Sequence, residues 1–260
     1  MNKKEPLLEI SNLSVRYAER EVLRSLSLRI EAGETAALLG LNGSGKSTLL
    51  RAALGFLPIE AGEIRVDGQN LRTMPARERA LRMGYIPQHS RFEGGLTVLE
   101  LVLMGANAGM PLLGSYSRRQ KAQALSCLEQ LGIRELSGCM LCELSQGQRQ
   151  LAVFARTMMQ QPKVFLLDEP DSALDLPRRR EMMERVKEMA AETGSGALIV
   201  LHDASLALSC CDRVLILKDG RIACGLHMAG AQESEVRSAM RLLYGDVAAA
   251  CIDGRWAVVG

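Results

Sequence analysis

The stretch GLNGSGKST, residues 40–48, constrains the fold of this chain more than any other feature of its sequence. It follows four consecutive apolar residues, 36–39, which suit a fully buried strand of a parallel sheet. It precedes a helical apolar pattern that runs from Leu49 to Leu54. A strand, a glycine-rich loop and a helix in this order form a phosphate-binding loop, because glycines let backbone N–H groups surround phosphate oxygens. The sequence therefore predicts an α/β core that binds a nucleotide.

The loop supplies both the charge and the oxygen ligand that a nucleotide and its Mg²⁺ require. Lys46 can neutralise the β- and γ-phosphates, and the hydroxyl of Ser47 can hold Mg²⁺. We assign phosphate binding to these residues of the loop: Gly40, Asn42, Gly43, Gly45, Lys46, Ser47 and Thr48.

The remaining sequence separates into strand-rich and helix-rich parts. Alternating apolar residues before the phosphate loop predict an N-terminal antiparallel β subdomain. Apolar runs at 164–167, 197–201 and 214–217 predict further buried strands, and with 36–39 they indicate a mostly parallel sheet. Between Ser90 and Gln161 helical periodicity dominates.

This pattern predicts an α/β fold with three parts. Residues 1–89 and 162–225 form the nucleotide-binding core, and residues 90–161 form an inserted α-helical subdomain. Residues 226–260 form a short helix and a β-hairpin, whose turn is the pair Asp253 and Gly254.

Two acidic residues and a histidine follow the predicted core strands. Asp168 and Glu169 end the strand 164–167; Asp168 suits a magnesium shell, and Glu169 is placed to polarise an attacking water. The alternative is an acidic strand end that caps the next helix. His202 follows the strand 197–201, where a parallel sheet brings it to the same edge, and we favour a functional over a structural role.

The segment ELSQGQRQLAVFARTMMQ, residues 143–160, predicts a helix whose N-cap is Ser145. Ser145 and Gln148 form a capping box, and one apolar stripe follows. Gly147 in the first turn costs up to about 1 kcal/mol of helix stability, but it lets an anion approach the free N–H groups.

The aromatic ring of Tyr17 fits either a place in the core or a stack against adenine.

Composition limits the classes of partner and the compartment. The formal net charge of +2 gives no indication of nucleic-acid binding. No signal peptide or spanning segment is evident, so we expect a cytosolic chain. Seven cysteines, including the CxxC pair Cys139 and Cys142, fit reduced structural residues better than disulfides or a zinc site.

Together these motifs resemble the nucleotide-binding subunit of ATP-binding cassette (ABC) transporters over nearly the whole chain. The resemblance implies a RecA-like core, in which Tyr17 stacks on adenine and Gln88, Glu169 and His202 serve catalysis. It implies that Ser47, Gln88 and Asp168 hold Mg²⁺. It also implies that the signature residues Ser145, Gly147 and Gln148 bind the γ-phosphate of ATP in a second copy, so that two chains close head to tail over two nucleotides.

Two positions depart from the family's usual pattern. Gln146 stands where the signature commonly has a first glycine before Gly147, and Asp171 stands where Thr is usual. A backbone N–H persists at Gln146, so phosphate binding is retained, and its side chain bears on how closely the dimer closes.

The segments LVLMG, LLYGDV and CIDGRWAVV are similar to the importer branch for iron-siderophore, haem and cobalamin uptake. The resemblance implies permease subunits docked on the helical subdomain after Gln88, a substrate-binding protein as an indirect partner, and a location at the cytoplasmic face of the membrane. An iron complex is the expected cargo. The alternatives are cobalamin or another importer ATPase, a soluble cassette ATPase acting on DNA or ribosomes, and an unrelated P-loop kinase or GTPase.

Overall fold

The computed structural model describes residues 5–90, 92, 95–110 and 114–259. The strands, in chain order, are β1 (Leu8–Tyr17), β2 (Arg20–Ile30), β3 (Thr35–Leu39), β4 (Ala61–Val66), β5 (Gln69–Asn70), β6 (Met83–Ile86), β7 (Val164–Asp168), β8 (Gly196–Val200), β9 (Arg213–Lys218), β10 (Arg221–His227), β11 (Ala248–Ile252) and β12 (Arg255–Val259). The α-helices are α1 (Lys46–Ala53), α2 (Ala76–Arg82), α3 (Val98–Leu103), α4 (Arg118–Gln130), α5 (Gln146–Gln160), α6 (Leu176–Thr193), α7 (Ala204–Cys210) and α8 (Glu233–Tyr244).

The central sheet has six strands in the order β10-β9-β3-β8-β7-β6. All neighbouring pairs are parallel except β10 with β9. Strands β3, β7 and β8 are buried at every residue, as expected for strands covered by helices on both faces. The strands β2-β1-β4-β5 form a separate antiparallel sheet near the N-terminus. The predicted fold class is therefore confirmed.

Helices fill the interval between β6 and β7. Helices α3, α4 and α5 lie there, together with short 3₁₀ turns, and the described residues of 90–161 include no strand. The predicted capping box is present at Ser145, the N-cap of α5, and Ser117, the N-cap of α4, forms a second one with Gln120. Helix α5 is buried over more of its surface than the single apolar stripe indicated, since Gln150 and Thr157 are buried as well.

A helix and a β-hairpin follow β10 in the C-terminal part of the chain. Strand β10 continues to His227, two residues beyond the predicted boundary, because it pairs with β9 along its whole length. Helix α8 follows, and β11 pairs with β12 around the turn at Asp253 and Gly254. Both turn residues have positive φ, 49° and 75°, as two-residue hairpins of this type require.

Two further findings concern the chain as a whole. All seven cysteines are free thiols, and Cys139 and Cys142 are not paired. Among the described residues no helix combines the length and apolarity needed to cross a bilayer.

Candidate active site

The phosphate loop connects β3 to α1, as the sequence predicts, and its glycines are required for different reasons. Gly45 is the N-cap of α1 with φ 108°, and a Cβ there would lie 2.8 Å from Leu23 Cδ2 of β2. At Gly40 a Cβ would lie 2.7 Å from the backbone oxygen of Leu217 in β9. Among the residues that the structure describes, no side chain caps α1, so the first N–H groups of the helix are available to an anion.

Lys46 lies folded over the loop. Its Nζ donates to the backbone oxygens of Gly40, at 2.7 Å, and Leu41, at 3.3 Å, and the residue is 6% exposed. Burial lowers the pKa of Lys46, although the carboxylates of Glu169 and Asp168 oppose that change. The ammonium group can exchange these two carbonyl oxygens for phosphate oxygens, because its hydrogen bond to a charged acceptor is stronger than its bond to a neutral carbonyl.

Ser47 and Asp168 provide oxygen atoms next to the loop. The hydroxyl of Ser47 donates to Asp168 Oδ1 at 3.5 Å, and Asp168 is 8% exposed at the end of β7. Burial raises the pKa of Asp168, and the neighbouring charge of Glu169 raises it further. A cation would relieve this cost, and hydroxyl and carboxylate oxygens are the ligands that Mg²⁺ prefers. These two residues therefore fit a magnesium site.

Glu169 lies between side chains from the two neighbouring strand ends. Gln88, after β6, donates its Nε2 to Glu169 Oε2, and the Nε2 of His202, after β8, lies 2.5 Å from Glu169 Oε1. The carboxylate is largely buried while the imidazole is half exposed. Glu169 has φ 49°, a conformation uncommon for a residue with a side chain and enriched at functional sites. The structure thus brings together Gln88, Glu169 and His202 at one sheet edge.

An open groove of about 930 Å³ lies beside the phosphate loop. Asn42 and Gly43 line it, and its charged lining is mixed, with the basic residues Arg16, Arg20, Arg24 and Lys218 beside the acidic residues Glu19, Glu21 and Asp219. Tyr17 ends β1 next to these residues and is 43% exposed, but its own ring is not part of the lining. Thr48 lies in the first turn of α1, partly buried.

Among the described residues, the contacts at the start of α5 are with neighbouring residues of its own helix, with the segment before α6 and with His89, and not with the phosphate loop. Ser145 Oγ accepts from the N–H of Gln148 at 3.2 Å, and Gln148 Oε1 accepts from the N–H of Ser145 at 2.9 Å. A Cβ on Gly147 would lie 3.0 Å from the backbone oxygen of Ala173, so the glycine also allows close packing of the loop before α6. Gln146 Nε2 lies 3.5 Å from His89 Nδ1.

Sequence reasoning missed one buried polar contact behind the site. Gln150 of α5 is 3% exposed and donates its Nε2 to the backbone oxygen of Pro87 at 3.1 Å, which ties the helix to the segment carrying Gln88. The available signal was its position, since Gln150 lies four residues before the buried Phe154 and so faces the core. A polar residue on the buried face of a helix indicates a specific hydrogen bond.

Comparisons with known proteins give the family of this chain. The family model described as ABC transporter matches residues 23–172. The chain is 37% identical over 226 residues to a phosphonates import ATP-binding protein of Nostoc sp., covering 83% of this chain and 91% of the relative. It is 33% identical over 217 residues to a probable iron chelatin transport ATP-binding protein of Helicobacter pylori, covering 83% and 85%. A solved dimeric structure of a bacterial ABC transporter cassette superposes with a TM-score of 0.76 at 26% identity, covering 85% of this chain and 98% of that one.

Proposed function

The chain belongs to the ABC transporter family as an ATP-binding subunit of an importer, an ATPase coupled to transport, and from this premise we propose how its site works. Two copies close head to tail over two ATP molecules and drive a separate integral membrane permease. The subunit acts at the cytoplasmic face of the membrane, and the imported solute is an iron complex. The observation that carries the proposal is the placement of Glu169 between Gln88 and His202, next to the phosphate loop.

Each residue at the sheet edge has a distinct role in hydrolysis. Lys46 and the uncapped N-terminus of α1 hold the β- and γ-phosphates. The carboxylate of Glu169 accepts a hydrogen bond from the attacking water and orients it, because phosphoryl transfer depends on positioning and charge stabilisation. Gln88 and His202 fix the carboxylate from both sides. Mg²⁺ would be held by Ser47, Asp168 and Gln88, and would supply positive charge to the phosphates.

The signature residues act on the nucleotide of the second copy. Within the described residues, the side-chain hydrogen bonds of Ser145, Gln146 and Gln148 stay inside α5 or reach His89, and none reaches the phosphate loop. The N–H groups of Gln146 and Gly147 remain for an external ligand, since the first amides of a helix have no intrahelical acceptor. A γ-phosphate presented by a partner would fill that position.

The permease would contact the helical subdomain after Gln88. Most of α3 is buried, including Val98, Leu101 and Val102, so this apolar stretch is largely core. Met104 directly after it is 40% exposed, and Leu81 of α2 is 42% exposed. Exposed apolar side chains of this kind suit contact with a membrane-protein loop. A substrate-binding protein would then act only through the permease.

Iron-complex import is proposed from the resemblance of LVLMG, LLYGDV and CIDGRWAVV to the iron-siderophore, haem and cobalamin branch, and a relative at 33% identity is named for iron chelatin transport. Phosphonate import is a second candidate, since relatives named for it are up to 37% identical. The two can be separated with the subunit, its genomic neighbour permease and the binding protein in proteoliposomes. Ferric siderophore should stimulate ATP hydrolysis and methylphosphonate should not; the opposite result would assign the phosphonate class.

The test of the catalytic proposal is Glu169→Gln in the full chain. The amide keeps the shape and the contact to His202 but loses the carboxylate that orients water, so ATP binding should persist while hydrolysis falls by about 10³-fold. The variant should form an ATP-dependent dimer in size-exclusion chromatography. Glu135→Gln, on the exposed surface, is the matched control. Hydrolysis near the wild-type rate in Glu169→Gln would remove Glu169 from this role.

Membrane association has its own test. Affinity capture of the tagged subunit from detergent extract should recover an integral membrane protein. Recovery of ribosomes or DNA instead would favour the soluble cassette ATPase and contradict the transport proposal.

A further inference from the structure

The C-terminal unit, defined here as α8, β11 and β12, packs on the helix that follows His202. The buried residues of α8, among them Val236 and Met240, belong to the same apolar cluster as Ala207 and Leu208 of α7. Trp256 of β12 packs against this cluster while partly exposed. That cluster extends through the helical subdomain and the central sheet, so the direct link is β12, which packs on α7. We therefore expect the unit and α7 to move together.

Two hydroxyls of α7 bind the free edge of β12. The N–H of Trp256 donates to Ser209 Oγ at 3.0 Å, and the N–H of Val258 donates to Ser205 Oγ at 3.1 Å. The other edge of β12 pairs with β11. Residues four apart on a helix are separated by about 6 Å along its axis, and alternate residues of a strand by about 6.8 Å, so the two spacings match. The serines thereby satisfy an edge that would otherwise present unpaired N–H groups.

Helix α7 begins two residues after His202, which faces Glu169 at the edge of the central sheet. Asp203 is its N-cap and accepts from the N–H of Leu206 at 3.1 Å, directly after His202. The hydroxyl of Tyr244, the last residue of α8, donates to the backbone oxygen of His202 at 3.4 Å, long for such a bond. Burial and the carboxylate of Asp203 raise the pKa of Tyr244, so its hydroxyl stays a donor. Its contact and the serine pair join the C-terminal unit to both sides of Asp203.

We propose that the C-terminal unit is a positioning element for His202: through Ser205, Ser209 and Tyr244 it holds α7 and the backbone before it, so that the imidazole faces Glu169. The inference rests on the role proposed above for His202. It assigns to the helix and hairpin an effect on turnover without any contact with the nucleotide phosphates. Loosening the unit should therefore lower kcat and leave ATP affinity unchanged.

The main experiment removes both hydroxyls in the full chain with Ser205→Ala/Ser209→Ala. We expect kcat for ATP hydrolysis to fall about fivefold, as the loss of hydrogen bonds that orient a catalytic group would cause, with Kd for ATP within error of wild type. Trp256 is the single tryptophan of the chain, so its fluorescence reports on the hairpin alone. Its emission maximum should move to longer wavelength as β12 leaves α7.

Conservative and matched variants separate positioning from general damage. Ser205→Thr/Ser209→Thr retains both hydroxyls and should restore most of kcat and the wild-type emission. Ser238→Ala removes a helical hydroxyl that donates to the backbone oxygen of Ser234, and should leave kcat unchanged. Tyr244→Phe should lower kcat about twofold, whereas Tyr116→Phe, which loses a hydroxyl contact with Asn107 in the helical subdomain, should not.

His202→Ala distinguishes failure of this inference from failure of the proposed function. If His202→Ala hydrolyses ATP at the normal rate, the role of His202 is wrong and the positioning element has nothing to position. If His202→Ala loses hydrolysis but the double serine-to-alanine variant keeps wild-type kcat, the positioning proposal is overturned, whether or not Trp256 emission moves. A fall in kcat that the threonine pair does not restore would overturn it as well.

Discussion

The N-termini of helices α1 and α5 are both proposed anion sites, but they are built differently. Helix α1 starts at Gly45 with φ 108° and no side-chain cap. Helix α5 starts at Ser145, whose side chain forms a reciprocal capping box with Gln148. The first helix leaves its initial donors to a ligand, whereas the second satisfies part of its own.

Because of this difference, we expect α1 to bind nucleotide in a single subunit and α5 to need a second copy. The loop before α1 is held by the ammonium group of Lys46, which bonds to Gly40 and Leu41 and has to exchange those contacts when phosphate binds. The start of α5 is shaped within its own chain, capped by Ser145 and packed on Ala173 through Gly147, and only the N–H groups of Gln146 and Gly147 are left for a ligand. We infer that α1 forms the binding site of a single subunit, and that α5 is a preformed surface which acts only when a second copy arrives.

Lys46→Ala should give the largest effect and tests the α1 side of the comparison. Loss of the charge facing the phosphates should lower kcat/KM for ATP hydrolysis by about 10³-fold, in the range found for cationic groups that stabilise phosphoryl transfer. Calorimetry should show weaker ATP binding in the isolated subunit. Lys163→Ala, an exposed lysine before β7, is the control. Unchanged affinity in Lys46→Ala would contradict the site assigned to α1.

Ser145→Arg tests the α5 side, because it places a long side chain where the partner's γ-phosphate is proposed to lie. Hydrolysis should fall about 10²-fold, and ATP-dependent dimerisation should be lost on a Glu169→Gln background. ATP binding by the isolated subunit should be unchanged, since its phosphate loop is intact. The lost cap should also lower stability by about 0.5–2 kcal/mol.

The two effects of Ser145→Arg separate capping from partner contact. A folded variant with a lowered Tm and normal hydrolysis would leave Ser145 with a capping role only. A variant that cannot bind ATP as a monomer would place the signature in the site of its own chain.

The α1 region was predictable because its information is local. One uninterrupted stretch between a buried strand and a helix specifies the loop around Lys46. The meeting of Glu169 with His202 was also predictable, since β7 and β8 are adjacent parallel strands and both residues follow their carboxyl ends. Neither inference required knowledge of side-chain packing.

The surroundings of α5 and α7 could not be predicted in the same way. The apolar stripe of α5 did not indicate that Gln150 bonds to the backbone of Pro87, a residue 63 positions away. Ser205 and Ser209 lie about 50 residues from their partners in β12 and have ordinary helical spacing. Such contacts depend on how elements pack, and local periodicity carries no information about that.

Gly147→Ala should give an intermediate effect and tests why α5 has a glycine in its first turn. The added Cβ would lie 3.0 Å from the backbone oxygen of Ala173 and 3.2 Å from Leu174 Cδ2, so the loop before α6 has to shift. We expect a loss of about 1 kcal/mol in the free energy of unfolding and a severalfold fall in hydrolysis. Thermal melting and steady-state assays check the two. A rise in Tm, as helix propensity alone predicts, would show that packing on Ala173 does not require the glycine.

Gln146→Gly should give the smallest effect and concerns the residue at which α5 differs from the common signature. Removing the side chain clears space over the N–H groups that would meet the partner's phosphate, and it also removes the contact between Gln146 Nε2 and His89 Nδ1. Glycine should lower the free energy of unfolding by about 0.5–1 kcal/mol. If the bulk of the Gln146 side chain limits closure of the dimer, ATP-dependent dimerisation on the Glu169→Gln background should tighten, by a few-fold in Kd from analytical ultracentrifugation.

His89→Ala is the matched control, because it removes the same contact and leaves the bulk of Gln146 in place. Tightening in Gln146→Gly alone supports bulk as the cause; equal tightening in both variants would assign the effect to the contact between α5 and the segment after β6. Weaker dimerisation in Gln146→Gly would mean that the glutamine side chain contributes to the interface, and the α5 surface would then be specific to this chain rather than a weakened form of the common signature.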